Sequence, residues 1–221
     1  GIGDFALRQN TTASNNTALG ASALTANTTG TGNTAVGKGA LPANTTGDNN
    51  VAVGKDAMQD NTTGYQNVAI GQNALADNTT ANNNVAVGYK AMRLTTTGDS
   101  NVAVGADSLY ALTEGGANVA IGRDVGKAMT ATSYTTLIGK SSGASINNDT
   151  ANGTTAIGYE SLTSLTSGGA NTVLGFETAK HNASGGLNTW VGYQAGLGAS
   201  GQNNSQNTGV GYRVGYSITT G

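Results

Sequence analysis

Cysteine is missing from this 221-residue sequence, so no disulfide or thiolate metal site can hold it together and no thiol can act as a nucleophile. Large apolar side chains are scarce: Leu, Ile, Val and Phe total 37 residues, about 17%. That is below the level of roughly 20% at which chains ordinarily bury enough surface to fold. Charge is thin as well. Ten Lys and Arg face twelve Asp and Glu, a net charge of −2. This balance excludes the basic footprint of a nucleic-acid binder and the polybasic patch that attaches to anionic lipid. Histidine, tryptophan and proline occur once each. No apolar run nears the roughly 18 residues of a membrane span, so this segment is not expected to insert into a membrane, and no basic-then-apolar start resembles a signal peptide. The sequence opens on Gly1 without an initiator methionine and reads as a fragment of a longer chain.

What is abundant is Gly, Thr and Asn, at 35, 33 and 26 residues. Their skew comes from a repeat. Asn33-Thr34-Ala35-Val36-Gly37, Asn50-Val51-Ala52-Val53-Gly54 and Asn67-Val68-Ala69-Ile70-Gly71 state one phrase at a spacing of 17 residues. Its final glycine falls at positions 3, 20, 37, 54, 71, 88, 105, 122, 139, 158, 175, 192 and 211, thirteen units with the first cut short. Two intervals are 19 residues, and their extra residues fall in the polar stretches Ser145 to Gly153 and Ser200 to Gln206. They lengthen loops and spare the phrase.

The phrase predicts a strand. Its second position holds only Thr or Val and its fourth only Val, Ile or Leu. Residues two apart share a strand face, so these columns form one β-branched, half-buried side. The third position, mostly alanine, lies on the opposite side, where another backbone could approach closely. A second short strand is expected at Ala40-Leu41, Ala57-Met58 and their equivalents, followed by loops such as Asn61-Thr62-Thr63-Gly64. Seventeen residues are too few for a domain but suit one coil of a β-solenoid, which buries its apolar stripe on its neighbours. Stacking would set Asn16, Asn33, Asn50, Asn67, Asn84, Asn101 and Asn118 about 4.8 Å apart as an amide ladder. The fold class is therefore all-β, a β-solenoid or β-roll of about thirteen coils and roughly 60 Å length, with residues 1–221 forming one repeat domain. Because a thin coil has one interior but this strand has two apolar faces, the alanine side is expected to be covered by sister chains arranged about the rod axis.

Asn50-Val51-Ala52-Val53-Gly54-Lys55-Asp56-Ala57 resembles the head repeat of the YadA-like trimeric autotransporter adhesins. The longer form with Asn-Thr-Thr-Gly linkers is similar to repeats in phage tail fibres and related bacterial surface fibres. The resemblance covers essentially the whole chain. It implies a homotrimer of left-handed β-rolls, extracellular on a bacterial surface or a virion, within a fibre that attaches to a host or target cell through a glycan or protein receptor.

Residues able to carry chemistry are few. His181, the single histidine, sits in a polar linker, so no histidine pair can hold a metal, and no metal or other cofactor is expected. Gly122-Arg123-Asp124-Val125-Gly126-Lys127-Ala128 has too short a spacing for a phosphate loop and lacks its Ser or Thr. Two carboxylate pairs stack one coil apart, Asp107 with Asp124 and Glu160 with Glu177. Their separation, near 5 Å, is that of a retaining glycosidase, yet the same column elsewhere holds Ser22, Gly39, Asn73 and Lys90, the variation of an exposed corner. The paired loop threonines, Thr45-Thr46 and their equivalents, suggest an ice-binding face, but adjacent side chains on an extended chain point opposite ways, and turn chemistry accounts for them better. Trp190 occupies the alanine column and is expected to fill a widened interior. The column after the phrase glycine ends in Tyr159, Phe176, Tyr193 and Tyr212 in four successive coils. These are the candidate ligand-binding residues, able to stack on sugar rings or to pack between chains. The resulting expectation is a non-enzymatic adhesive fibre segment, with an ice-binding solenoid or a polysaccharide-degrading spike as the alternatives.

Overall fold

A computed structural model describes residues 1–201 and 203–219; Gln202, within the second insertion, lies outside the described residues. Each complete phrase forms a three-residue strand, from β1 (Thr17–Leu19) through β8 (Thr136–Ile138) and β9 (Thr155–Ile157) to β12 (Thr208–Val210). All twelve strands lie parallel in one sheet in sequence order, so the chain is an all-β solenoid of about eleven turns. The short first unit contributes only a bridge from Ile2 to Leu19. Register is strict: Thr34 faces Val51, Ala35 faces Ala52 and Val36 faces Val53, and the 19-residue units keep it, with Thr136 facing Thr155. The first insertion carries a short 3-10 turn at Asp149–Ala151 that tucks Ala151 into the interior.

The interior lies on the other side of the strand from the one expected. Ala35, Ala52, Ala69 and Ala86 are fully buried inside their own coil, whereas Leu19, Ile70 and Leu174 of the flanking columns are 46%, 40% and 48% exposed. The alanine side is covered by its own chain because the coil is so thin. A leucine or methionine from the opposite corner, such as Met58, fills the space facing each alanine and leaves room for only a methyl group on the strand side.

The second strand is also absent. Ala57 and Met58 are both fully buried, which an extended pair cannot achieve because its side chains face opposite ways. The corner instead alternates right- and left-handed backbone, with φ of 54° at Asp56 and 51° at Met58, and turns both side chains inward. Left-handed backbone costs a non-glycine residue about 1–2 kcal/mol. Bonds to both neighbouring coils hold it in place, from Asp56 N to Lys38 O and from Met58 N to Ala74 O, each 3.0 Å. At Gly54, which opens the corner at φ 135°, a Cβ would lie 2.6 Å from the Gly71 oxygen of the next coil, so only glycine permits that stacking distance.

The core keeps its volume by exchange between two positions six residues apart. Where the strand offers alanine, the corner offers Leu or Met; where the strand offers Leu137 the corner offers Gly143, and where it offers Val173 the corner offers Ala179. Trp190, 4% exposed, is accommodated by glycines at 196, 209 and 215, and so fills a widened interior as expected.

Polar ladders complete the interior. Each phrase asparagine accepts the main-chain N–H of the next one, as Asn67 Oδ1 does from Asn84 at 3.0 Å, and donates to a loop carbonyl of its own coil, as Asn67 Nδ2 does to Ala81 at 2.8 Å. Thr135 and Thr154 interrupt this ladder, and the Thr154 hydroxyl is buried with no partner among the described residues. A second amide ladder, which the sequence reading missed, runs through Asn27, Asn44, Asn61 and Asn78, each donating to the Oδ1 of the one before. The fixed offset of the Asn-Thr-Thr linkers was the available signal for it.

Candidate functional site

The four candidate aromatic residues form one continuous stack. Ring centroids are 5.1 Å apart from Tyr159 to Phe176, 5.3 Å from Phe176 to Tyr193 and 5.6 Å from Tyr193 to Tyr212, with interplanar angles of 14°, 5° and 13°. In-register parallel strands dictate this, because each residue lies directly above its equivalent one coil earlier. The rings use their faces on one another. The outer faces of the stack are taken as well, by Lys140 Nζ 5.5 Å from the Tyr159 centroid and by the Arg213 guanidinium 5.3 Å from that of Tyr212. The edges face solvent, with the residues 38–71% exposed. A sugar ring stacks on an aromatic face, so the interior rings are turned away from that use.

Beside the stack run the carboxylates. Lys180 Nζ sits 2.6 Å from Glu160 and 2.7 Å from Glu177, bridging the two coils. Its ammonium pulls both carboxyls below the ordinary glutamate range, helped by Tyr159 at Glu160 and by Gln194 at Glu177, and both carboxylates in turn raise Lys180. The Tyr159 hydroxyl is raised by its bond to Glu160. The other pair repeats the arrangement: Lys127 lies 2.8 Å from Asp124 and 3.8 Å from Asp107, and it lowers Asp124. A glycosidase acid must hold its proton near neutral pH. Two carboxylates sharing an ammonium are both ionised there, and the geometry is that of a charge ladder. Asp124-x-x-Lys127 and Glu177-x-x-Lys180 share one spacing, which was the sequence signal for it.

The remaining candidates fall apart as sites. His181 is half-buried on the outer surface of a corner and donates its main-chain N–H to Leu197. Gly122 and Gly126 both face neighbouring side chains, Val125 and Met129, in place of an open phosphate cradle. The first threonine of each loop pair spends its hydroxyl on the carbonyl of the next coil, as Thr45 does on Thr62 at 3.1 Å, leaving one row, Thr46 and its equivalents, exposed. No cluster of metal-ligating side chains and no enclosed pocket exist among the described residues. No described helix is long and apolar enough to cross a membrane.

Comparison with protein-family models, with curated proteins and with solved structures finds no match in any of the three.

Proposed function

We propose that this chain is a rod segment of a trimeric surface or tail fibre that acts in attachment to a host or target cell. The observation that carries the reading is the outer side of the sheet. Its second and fourth phrase columns remain apolar or β-branched along all twelve strands although the interior is already filled by alanine and leucine. Two columns over roughly 50 Å make a stripe of about 400–500 Å², at the upper end of what a soluble monomer exposes. Rotational symmetry about the rod covers three such stripes at once and shields the sheet from other strands. The resemblance of residues 50–57 to trimeric adhesin head repeats supports the same assembly.

The fibre works as a stiff spacer, and three copies supply avidity to whatever recognises the receptor, a cell-surface glycan or protein. Within this segment we assign receptor contact to the insertion loops at 145–153 and 200–206, because loops on a rigid scaffold commonly carry recognition. The ice-binding alternative loses support from the engaged threonine hydroxyls, and the polysaccharide-degrading alternative from the lysine-bridged carboxylates. Sedimentation equilibrium tests the assembly: a mass of three chains is expected, and a stable folded single chain overturns it. Deletion of residues 147–152 is expected to weaken adsorption of the segment to target cells without changing that mass, and unchanged adsorption refutes the loop assignment.

A further inference from the structure

We infer that the aromatic stack is one wall of a binding strip for an elongated, flat, aromatic anion lying along the rod axis. The inference does not rest on the assembly proposed above.

The strip is built from three adjacent columns over four coils. Its floor is the phrase glycines 158, 175, 192 and 211, which carry no side chain. One wall is the aliphatic column Ile157, Leu174, Val191 and Val210, of which Leu174 is 48% and Val210 71% exposed. The other wall is the aromatic column, and it presents edges. An aromatic edge carries the positive part of the ring quadrupole and pairs best with the negative face of another π system in a T-shaped arrangement. Four edges in register over roughly 15 Å therefore match one long π face better than they match a saturated sugar or a flexible peptide. The walls exclude a cation at the ends. Lys140 lies beyond Tyr159 and Arg213 beyond Tyr212, one at each end of the strip, while the neighbouring Glu160 and Glu177 are already neutralised by Lys180. A ligand with acidic groups at both ends satisfies these terminal cations.

The test uses Congo red, a linear bis-azo dye with sulfonates, against thioflavin T, a flat cation, on the purified chain. Saturable binding of Congo red is expected, with induced circular dichroism in the dye band and clearly weaker binding of thioflavin T. Each edge is worth about a two- to tenfold change in affinity. Phe176→Ala with Tyr193→Ala should weaken binding at least tenfold, Lys140→Gln should weaken it and reduce its salt dependence, and Tyr134→Ala, an exposed tyrosine on another face, should leave it unchanged. Phe176→Leu keeps apolar volume while removing the edge, and it separates loss of the strip from loss of the fold. Absence of saturable binding, unchanged affinity in the Phe176 variants, or equal affinity for both dyes overturns the inference.

Discussion

Leu137 and Gly143 offer a direct way to test whether the interior is governed by exchange of volume within a coil. A Cβ at Gly143 would lie 3.1 Å from both methyls of Leu137 and 2.9 Å from Ile146 Cδ1, so the glycine is there because the leucine is. Leu137→Ala alone opens a cavity and should cost about 2–5 kcal/mol. Gly143→Leu alone overpacks the coil, at about 1–3 kcal/mol, and adds roughly 1–2 kcal/mol for placing leucine at φ 58°. The double variant, however, recreates an arrangement that the molecule already uses: Ala103 with Leu109 and Leu112, and Ala156 with Leu162 and Leu165. It should recover most of both losses, giving a favourable coupling of at least about 2 kcal/mol. A deficit of about 1–2 kcal/mol should remain, because the left-handed leucine persists and Leu137 Cδ1 also fills space beside Gly126 in the preceding coil. Repeat arrays can unfold in sections, so the cycle is best read by urea denaturation together with hydrogen exchange at residues 136–139. Singles that add without coupling would refute the volume-exchange argument.

The amide ladder gives a prediction of each sign. Asn67→Ala strands the Asn84 N–H and the Ala81 carbonyl in the interior and should lower stability by about 2–4 kcal/mol in denaturant titration, whereas Thr154→Asn restores a missing rung and should raise it by about 1 kcal/mol. Glu160 and Glu177 have lowered pKa values, so their contribution is complete above the unfolded value of 4.5 and is lost as pH falls through the lowered folded values; that of Lys180, raised above 10.5, is lost only on the alkaline side. Lys180→Met should flatten the acid limb of a melting-temperature profile below about pH 4.5, by an amount worth at most about 1 kcal/mol and smaller in high salt. Expression in a host that attaches glycans to Asn-x-Thr should yield folded protein carrying sugar at exposed Asn148 or Asn152 and none at Asn44 or Asn61, whose amides are buried ladder rungs; mass spectrometry of tryptic peptides checks this.

The period, the strand and the first ladder were legible because stacking makes sequence columns into spatial columns. Asn50 over Asn67 in the sequence becomes a hydrogen bond of 3.0 Å in the rod. Which side of the strand is inside was not legible, since Val51, Ala52 and Val53 give apolar columns on both faces and the arbiter is distant, the left-handed Met58 across the coil. That residue also explains the false second strand: backbone propensity argues against methionine at positive φ, and inter-coil hydrogen bonds overrule it. The aromatic column was legible as a set of neighbours, while the orientation of its rings follows from side-chain torsions that spacing does not encode. Lys127 and Lys180 were passed over because a lysine three residues past a carboxylate is ordinary on its own and becomes a bridge only when a second carboxylate lies one coil below.

The scarcity of large apolar residues bears on assembly. An interior of alanine, one leucine or methionine per coil and hydrogen-bonded amides suffices to stack the coils because each coil is covered by two others, which is how a chain with so few aliphatic side chains can fold. The monomer's interior therefore makes no demand on the outer columns. A solvated outer face would tolerate Ser, Asn or Lys there, as the exposed corner two residues past the phrase glycine does with Ser22, Asn73 and Lys90. Instead the fourth phrase position is Val, Ile or Leu in all twelve strands, and the second is β-branched in all twelve. Twelve coils under one local rule that their own packing does not require point to a second surface that does require it, and a surface running the full length of the rod fits parallel copies side by side better than contacts at its ends. Replacing Val53, Ile70 and Val87 together by threonine should accordingly leave the coil's interior and its circular dichroism intact while lowering the sedimenting mass, and an unchanged mass would detach the outer columns from assembly.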